Sequence, residues 1–212
     1  MGAAGSAGIV ADFRFERQLL AAGFRRVAGI DEAGRGPLAG PVVAAAVVLD
    51  PDHIPEGIAD SKVLDARRRE ELFGAICGVA EISFAFACVA TVDRINIREA
   101  TLQAMRNALL GLCRPADAVL IDGRDVPQRI PVETRAVIDG DALSLSIAAA
   151  SIVAKVVRDR LMTRCDGVFS GYGLASHKGY STRAHQAALA ALGPCRLHRR
   201  SFSPVAALIP AV

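Results

Sequence analysis

No apolar stretch in this chain reaches the about 18 residues that a membrane-crossing helix needs. The small residues at the start, Met1 to Ala11, include no basic segment followed by an apolar one. A transmembrane helix is therefore excluded, a flexible stretch is expected over about 1–10, and the cytoplasm is the expected location. Cysteine is scarce: Cys77, Cys88, Cys113, Cys165 and Cys195 are odd in number, widely spaced and form no C-x-x-C pair. That argues against a disulfide framework and a zinc site, and leaves reduced, mostly buried thiols as the expectation. The net charge of +3 is too small to signal a nucleic-acid binder by itself. Repeats and low-complexity linkers are absent, and no Gly-Lys-Ser/Thr follows the glycine-rich stretch, so it is not a Walker loop.

What is present suits one α/β domain. The 212 residues and 52% hydrophobic content allow a proper core. A first helix is expected over 12–23, and strands over 26–31, 42–49, 82–90 and 118–121, with a short run over 135–138. Helices are expected over 65–74, from Asn96 through Leu112, over 144–165, and in a short stretch ending at Leu192. Asn96 and Glu99 are spaced as a helix start. From Ser144 to Ala154 nearly every side chain is small or aliphatic, which lets a helix lie close to a sheet. Strands alternating with helices give the α/β class.

The chain is organised around Gly29-Ile-Asp-Glu-Ala-Gly-Arg-Gly-Pro-Leu-Ala-Gly-Pro41. An apolar run feeds two adjacent carboxylates, Asp31 and Glu32, into a tight loop bearing Gly34, Arg35 and Gly36. Two carboxylates at the end of a buried strand repel and are costly to desolvate, and a divalent cation is the usual reason to keep them. A solvated acidic turn is the plain alternative. The glycine spacing brushes the dinucleotide fingerprint, but Pro37 and Pro41 intervene and the chain returns to an extended run. Such a loop could still lie against a sugar-phosphate backbone, because glycine has no side chain in the way.

Neighbouring strand residues face opposite sides, so Asp31 and Glu32 can serve one ion cluster only if the chain leaves strand geometry there. A second strand is expected to end at Asp122. Asp141, just ahead of the small-residue helix, is the natural fourth carboxylate. Asp139 and Asp159 compete, the first with a turn role and the second with Lys155 one helical turn earlier. Four carboxylates without a compelling histidine or cysteine partner suit Mg²⁺ or Mn²⁺. Basic residues gather as Lys155, Arg158, Arg160 and Arg164 on one expected helix, and as Arg196, His198, Arg199 and Arg200 near the end. Either group could be a solvated face. Mg²⁺ and Mn²⁺ clamp phosphoryl oxygens, and if a nucleic-acid backbone is what they act on, Lys155, Lys178 and the 196–200 cluster are expected to supply phosphate contacts.

The glycine-rich stretch, Asp60-Ser-Lys62, Ile121-Asp-Gly123, Gly140-Asp141 with Ser144 to Lys155, Lys178-Gly-Tyr180 with His185, and His198 to Val205 together resemble bacterial ribonuclease HII. The match runs in order from about Arg26 to Val205. The resemblance implies a ribonuclease-H-like fold: a mixed central sheet flanked by helices, in a single catalytic domain with a C-terminal helical extension over about 181–212. It implies that Asp31, Glu32, Asp122 and Asp141 are the catalytic, metal-binding carboxylates, holding two Mg²⁺ or Mn²⁺ ions. Gly34, Arg35 and Gly36 resemble the family's loop that reads the ribose 2′-OH, and Tyr180 its tyrosine at the ribonucleotide-to-deoxyribonucleotide junction. Lys62, Ser151, Lys155 and Lys178 become candidate phosphate-binding or supporting residues. The implied activity is a cytoplasmic, monomeric endonuclease acting on RNA–DNA hybrids and on duplex DNA containing ribonucleotides, in ribonucleotide excision repair and replication. Val63, Asp139 and Ala175-Ser176 depart from the family's pattern and bear on substrate affinity.

Overall fold

The apolar runs around Asp31 and Asp122 become adjacent parallel strands at the centre of a five-stranded sheet. The computed structural model describes residues 11–209, so the stretch expected to be flexible, about 1–10, lies outside them. The elements are α1 (Arg14–Ala21), β1 (Val27–Ala33), β2 (Val42–Val48), α2 (Ala66–Val79), β3 (Glu81–Ala87), α3 (Val89–Leu110), β4 (Ala118–Asp122), β5 (Glu133–Val137), α4 (Gly140–Leu143), α5 (Leu145–Val168), α6 (Leu174–His177), α7 (Arg183–Leu192) and α8 (Ser203–Ala206). The strand order is β3-β2-β1-β4-β5. β1, β2 and β3 form an antiparallel meander, while β4 and β5 add parallel strands beyond β1, so the sheet is mixed.

Both faces of the central strands are covered, which explains their nearly unbroken apolar runs. On one face Ala28, Ile30, Ala44, Val119 and Ile121 pack against α3 through Ala104, Met105 and Ala108. On the other, Ala45 and Val47 meet α2 and the alanine-rich first half of α5. Small side chains decide how closely α5 lies: a Cβ on Gly29 would sit 2.1 Å from the backbone carbon of Ser146. Each fully buried branched side chain there, such as Ile147 or Ile152, contributes about 1.5–3 kcal/mol relative to exposure. Beyond α5 the chain folds back, and Leu174, Leu189 and Val205 pack against Leu38, Ala39 and Met162.

Most expected elements are present, with shifted ends. Asn96 sits at a kink inside α3 with φ 67°, and its side chain accepts from Glu99 N at 3.0 Å, the expected helix start. Asp65 caps α2, which continues to Val79. The expected strand over 82–90 stops at Ala87, because Val89 already opens α3. The thiols differ from expectation: all are free, but Cys77, Cys88 and Cys113 are exposed and the other two half-buried. Cys77 and Cys165 lie on helices whose outer positions face water, so small size and apolarity did not decide their placement. No helix among the described residues is long and apolar enough to cross a membrane.

Candidate metal centre

The carboxylates meet because β1 and β4 run parallel and end together. Their last paired residues are Ile30 and Ile121, so Asp31 and Asp122 follow as neighbours on the side of the sheet that α5 covers. The chain then crosses β5 and turns through Asp139, whose left-handed backbone (φ 54°) starts α4 and presents Asp141. Asp122 Oδ1 accepts from Gly140 N at 2.7 Å, tying that turn to the end of β4. The approach favours glycine, since a Cβ on Gly140 would sit 2.6 Å from Ile147 Cδ1 and 3.2 Å from Asp122 Oδ1. Asp31, Asp122 and Asp141 each place an oxygen within 4.8 Å of the others.

Glu32 is not in this triad. The chain does not leave strand geometry at the pair: Asp31 and Glu32 both stay in register with β2, opposite Ala45 and Ala44. Alternation therefore sends Glu32 to the α3 side, where it accepts from Arg35 Nη1 at 3.2 Å. It borders a cleft with Asp122, Thr101 and Arg98. The departure from strand geometry that would let both serve one cluster is absent, and the two residues are joined by Glu32 N donating to Asp31 Oδ1 at 2.6 Å.

The electrostatics fit a hard cation. Burial, then the charges of Glu32 and Asp122, push Asp31 well above the ordinary carboxyl range. Burial likewise raises Glu32, offset by Arg35 and reinforced by Asp122. Asp122 is raised by burial and by Asp141, against the N–H groups of Gly140 and Asp141. The nearby cation is Lys62, whose Nζ lies 2.6 Å from Asp141 Oδ2. Partial burial alone would lower its pKa, but the hydrogen bond and charge of Asp141 outweigh that and raise it. An all-oxygen set of mutually repelling carboxylates within one ion's reach is the donor set that Mg²⁺ or Mn²⁺ takes.

The glycine loop is held from beneath by two arginines that sequence reading assigned to basic faces. Arg158 and Arg199 are both 0% exposed. Arg199 donates to the carbonyls of Gly34, Arg35 and Gly40, and Arg158 to those of Ala39, Pro41 and Lys178. Neither guanidinium has a carboxylate partner among the described residues. Burial, then the charge of Arg158, lowers Arg199 to about 9. The expectation that Arg199 is a phosphate contact is therefore corrected: the chain needs its fork inside. The spacing Ala154, Arg158, Met162 could have revealed Arg158, since it lies in the buried stripe of α5. Nothing in the local sequence marks Arg199, whose segment is brought to the loop by tertiary backbone bonds, Arg199 N→Leu38 O and Gly40 N→Leu197 O.

The clamp also joins the Tyr180 segment to the loop. Leu38 N donates to Gly179 O at 2.8 Å, and a Cβ on Gly179 would stand 2.5 Å from Ala39 O. Tyr180 is 44% exposed, so it is no packed core tyrosine, and its ring lies 5.7 Å from Lys155 Nζ and 5.9 Å from Arg158 Cζ. Gly34 is buried with φ +97°, whereas Gly36 is exposed, with nothing within 4 Å of the place a Cβ would take.

The remaining candidates are engaged elsewhere. Ser151 is buried and shares a 2.7 Å hydrogen bond with Ser61 Oγ, so it supports the Lys62 loop from inside. Lys155 pairs with Asp159 at 2.9 Å, which confirms the structural role expected for Asp159. Lys178 Nζ donates to Thr163 Oγ1 at 2.7 Å and to Ala175 O, beside a cavity of about 530 Å³ lined by Arg69, Arg160 and Arg164.

The chain is similar to known proteins in sequence and in fold. The family model described as ribonuclease HII matches residues 28–205. A ribonuclease HII from Rhizobium leguminosarum bv. trifolii is 57% identical over 197 residues, covering 93% of this chain and 86% of the relative. The crystal structure of the ribonuclease H2 from Pyrococcus horikoshii OT3 superposes with TM-score 0.77 at 25% identity, covering 87% of this chain and 97% of that one. Bst-RNase HIII, solved in complex with Mn²⁺, shares the fold with TM-score 0.69 at 19% identity, covering 85% of this chain and 68% of that one.

Proposed function

The chain belongs to the ribonuclease HII family and is a ribonuclease H that cuts the RNA strand of RNA–DNA hybrids with a divalent metal; from that premise we propose that it also nicks duplex DNA 5′ of a single embedded ribonucleotide, leaving 5′-phosphate and 3′-OH ends. The observation that carries this reading is the meeting of Asp31, Asp122 and Asp141 oxygens within 4.8 Å, beside a glycine loop. In the proposed site Asp31, Glu32, Asp122 and Asp141 hold two Mg²⁺ or Mn²⁺ ions. Bound there, the ions supply activation of the attacking water and charge stabilisation at the leaving 3′-oxygen.

The protein's own groups do the rest. Lys62, now on Asp141, is close enough to exchange that carboxylate for a substrate phosphate. Gly34, Arg35 and Gly36 bring backbone to the ribose 2′-OH, the group that separates RNA from DNA. The committed carbonyls of Gly34 and Arg35 support a loop of fixed shape, which leaves its outward groups set before substrate arrives. Tyr180 presses its exposed ring on the next sugar, where deoxyribose fits and ribose does not. Lys155, Lys178 and the exposed Arg200 add phosphate attraction, and Ser151 supports the Lys62 loop. The enzyme acts as a cytoplasmic monomer.

A duplex carrying one ribonucleotide, end-labelled and incubated with and without EDTA, tests this. Scission 5′ of the ribonucleotide, abolished by EDTA and by Asp31→Asn or Asp122→Asn, is expected. Cutting of an all-DNA junction, or a metal-independent product, would overturn the reading.

A further inference from the structure

One buried acid plays no part in the site described above. Glu16 on α1 is 0% exposed and forms no ion pair among the described residues. It precedes residue 28, where the match to the family model begins. Its Oε1 accepts from Ser144 Oγ at 2.6 Å and from Ser146 N at 2.8 Å. Its Oε2, like Ser146 Oγ beside it, is buried without a partner. The backbone of the same segment joins in: Asp12 N donates to Leu143 O, and Leu145 N to Asp12 O. All of these contacts fall on the start of α5, where unpaired N–H groups and the helix dipole favour a negative charge.

That helix start adjoins the segments that carry two of the carboxylates, Asp141 on α4 and Asp31 on β1. Ser144 N donates to Gly140 O at 2.8 Å, closing the turn that presents Asp141. On the sheet side, Gly29 packs on the backbone of Ser146 with no room for a Cβ, two residues before Asp31 on the same strand face. Movement at Ser144–Ser146 would therefore alter the separation of Asp31 and Asp141. An acid is suited to prevent it, because one oxygen accepts both the capping hydroxyl and a free helix N–H.

We infer that Glu16 is a positioning residue for the divalent-cation site: it fixes the start of α5, and through it the spacing of Asp31 and Asp141. The inference rests on the reading of those carboxylates as metal ligands. Calorimetric titration of the full chain with Mn²⁺, without nucleic acid, tests it independently of turnover. Glu16→Ala should weaken Mn²⁺ binding on the order of tenfold, the size of loss that follows removal of a supporting hydrogen bond at a metal site. Glu16→Gln keeps the accepting oxygen and should bind Mn²⁺ like the parent. Leu112→Ala, on the α3 side of the sheet, should lower the melting temperature without weakening Mn²⁺. Asp141→Asn separates the two levels. If it weakens Mn²⁺ while Glu16→Ala does not, the inference is overturned. If Asp141→Asn itself binds normally, the ligand reading fails first. Should Glu16→Ala not fold, Ser144→Ala removes one of the two donors and should give a smaller weakening; unchanged binding there, or a Glu16→Gln as weak as a loss of the acceptor, would overturn the role.

Discussion

Two glycines separated by one residue should respond in opposite ways to the same methyl group. Gly36 is exposed, its φ lies outside the left-handed range, and nothing stands within 4 Å of an added Cβ. Gly36→Ala should therefore stabilise the fold by about 0.4–1 kcal/mol, through lost freedom of the unfolded chain. For a protein of this size that raises the melting temperature by about 1–4 °C. Gly34 has φ +97°, and an added Cβ would lie 2.1 Å from Arg158 Nε. Gly34→Ala takes on backbone strain of about 1 kcal/mol or more. It also displaces a guanidinium that donates to Ala39, Pro41 and Lys178, and losing even one such charged bond costs roughly 1.5–3 kcal/mol. A fall of at least about 5 °C follows. Activity should not track stability. If the outward face of the loop meets the sugar, the harmless methyl at Gly36 stands between them, and a misplacement of about 1 Å can cost on the order of a hundredfold in rate. Calorimetry and single-turnover cleavage of the single-ribonucleotide duplex, on the same preparations, read both effects. A Gly36→Ala enzyme that cleaves at the parent rate would refute the approach of substrate to that face. A Gly34→Ala protein that melts like the parent would refute the clamp.

Asp31→Asn should abolish cleavage yet raise the metal-free melting temperature at pH 8. Two full charges within 4.8 Å repel by about 3–4 kcal/mol or more at an effective dielectric near 20. Because the folded carboxyl is raised above 3.8, its penalty is absent below that pH and grows as pH rises. The gain should thus vanish near pH 3.5, and a loss of stability at pH 8 in EDTA would count against the cluster. Arg199→Met should lower the melting temperature, since the carbonyls of Gly34, Arg35 and Gly40 lose their donor, while leaving the salt dependence of hybrid binding unchanged. Arg200→Gln should do the reverse and flatten the log–log salt slope by about one. The buried His198, linked to His185 at 3.0 Å, is lowered by burial and by His185 to about 4. The unfolded chain takes up that proton first, so stability should decline from about pH 6.5 down to about pH 4; His198→Asn should flatten this limb in urea melts.

The sequence by itself determined what is written in periodicity and in local chemistry. Apolar runs marked β1, β2 and β4, and the small-residue run from Ser144 to Ala154 marked the helix that lies on them. Asn96, Asp65 and Ser144 announced helix starts because a side chain two or three residues away satisfies the free N–H groups. The carboxylates were legible as candidates because charge at the end of an apolar strand is costly and demands a reason. Tertiary structure alone decided how they group. Whether Glu32 joins Asp31 depends on whether β1 continues past them, and pairing with β2 carries it to Ala33. The buried arginines show the same limit. A cation reads as surface charge until the fold supplies carbonyl oxygens for its donors, and those for Arg199 come from residues more than 150 positions away in the chain. Contacts at that separation leave no period in the sequence, so only the folded chain could place Arg199 beneath the loop and Glu16 at the start of α5.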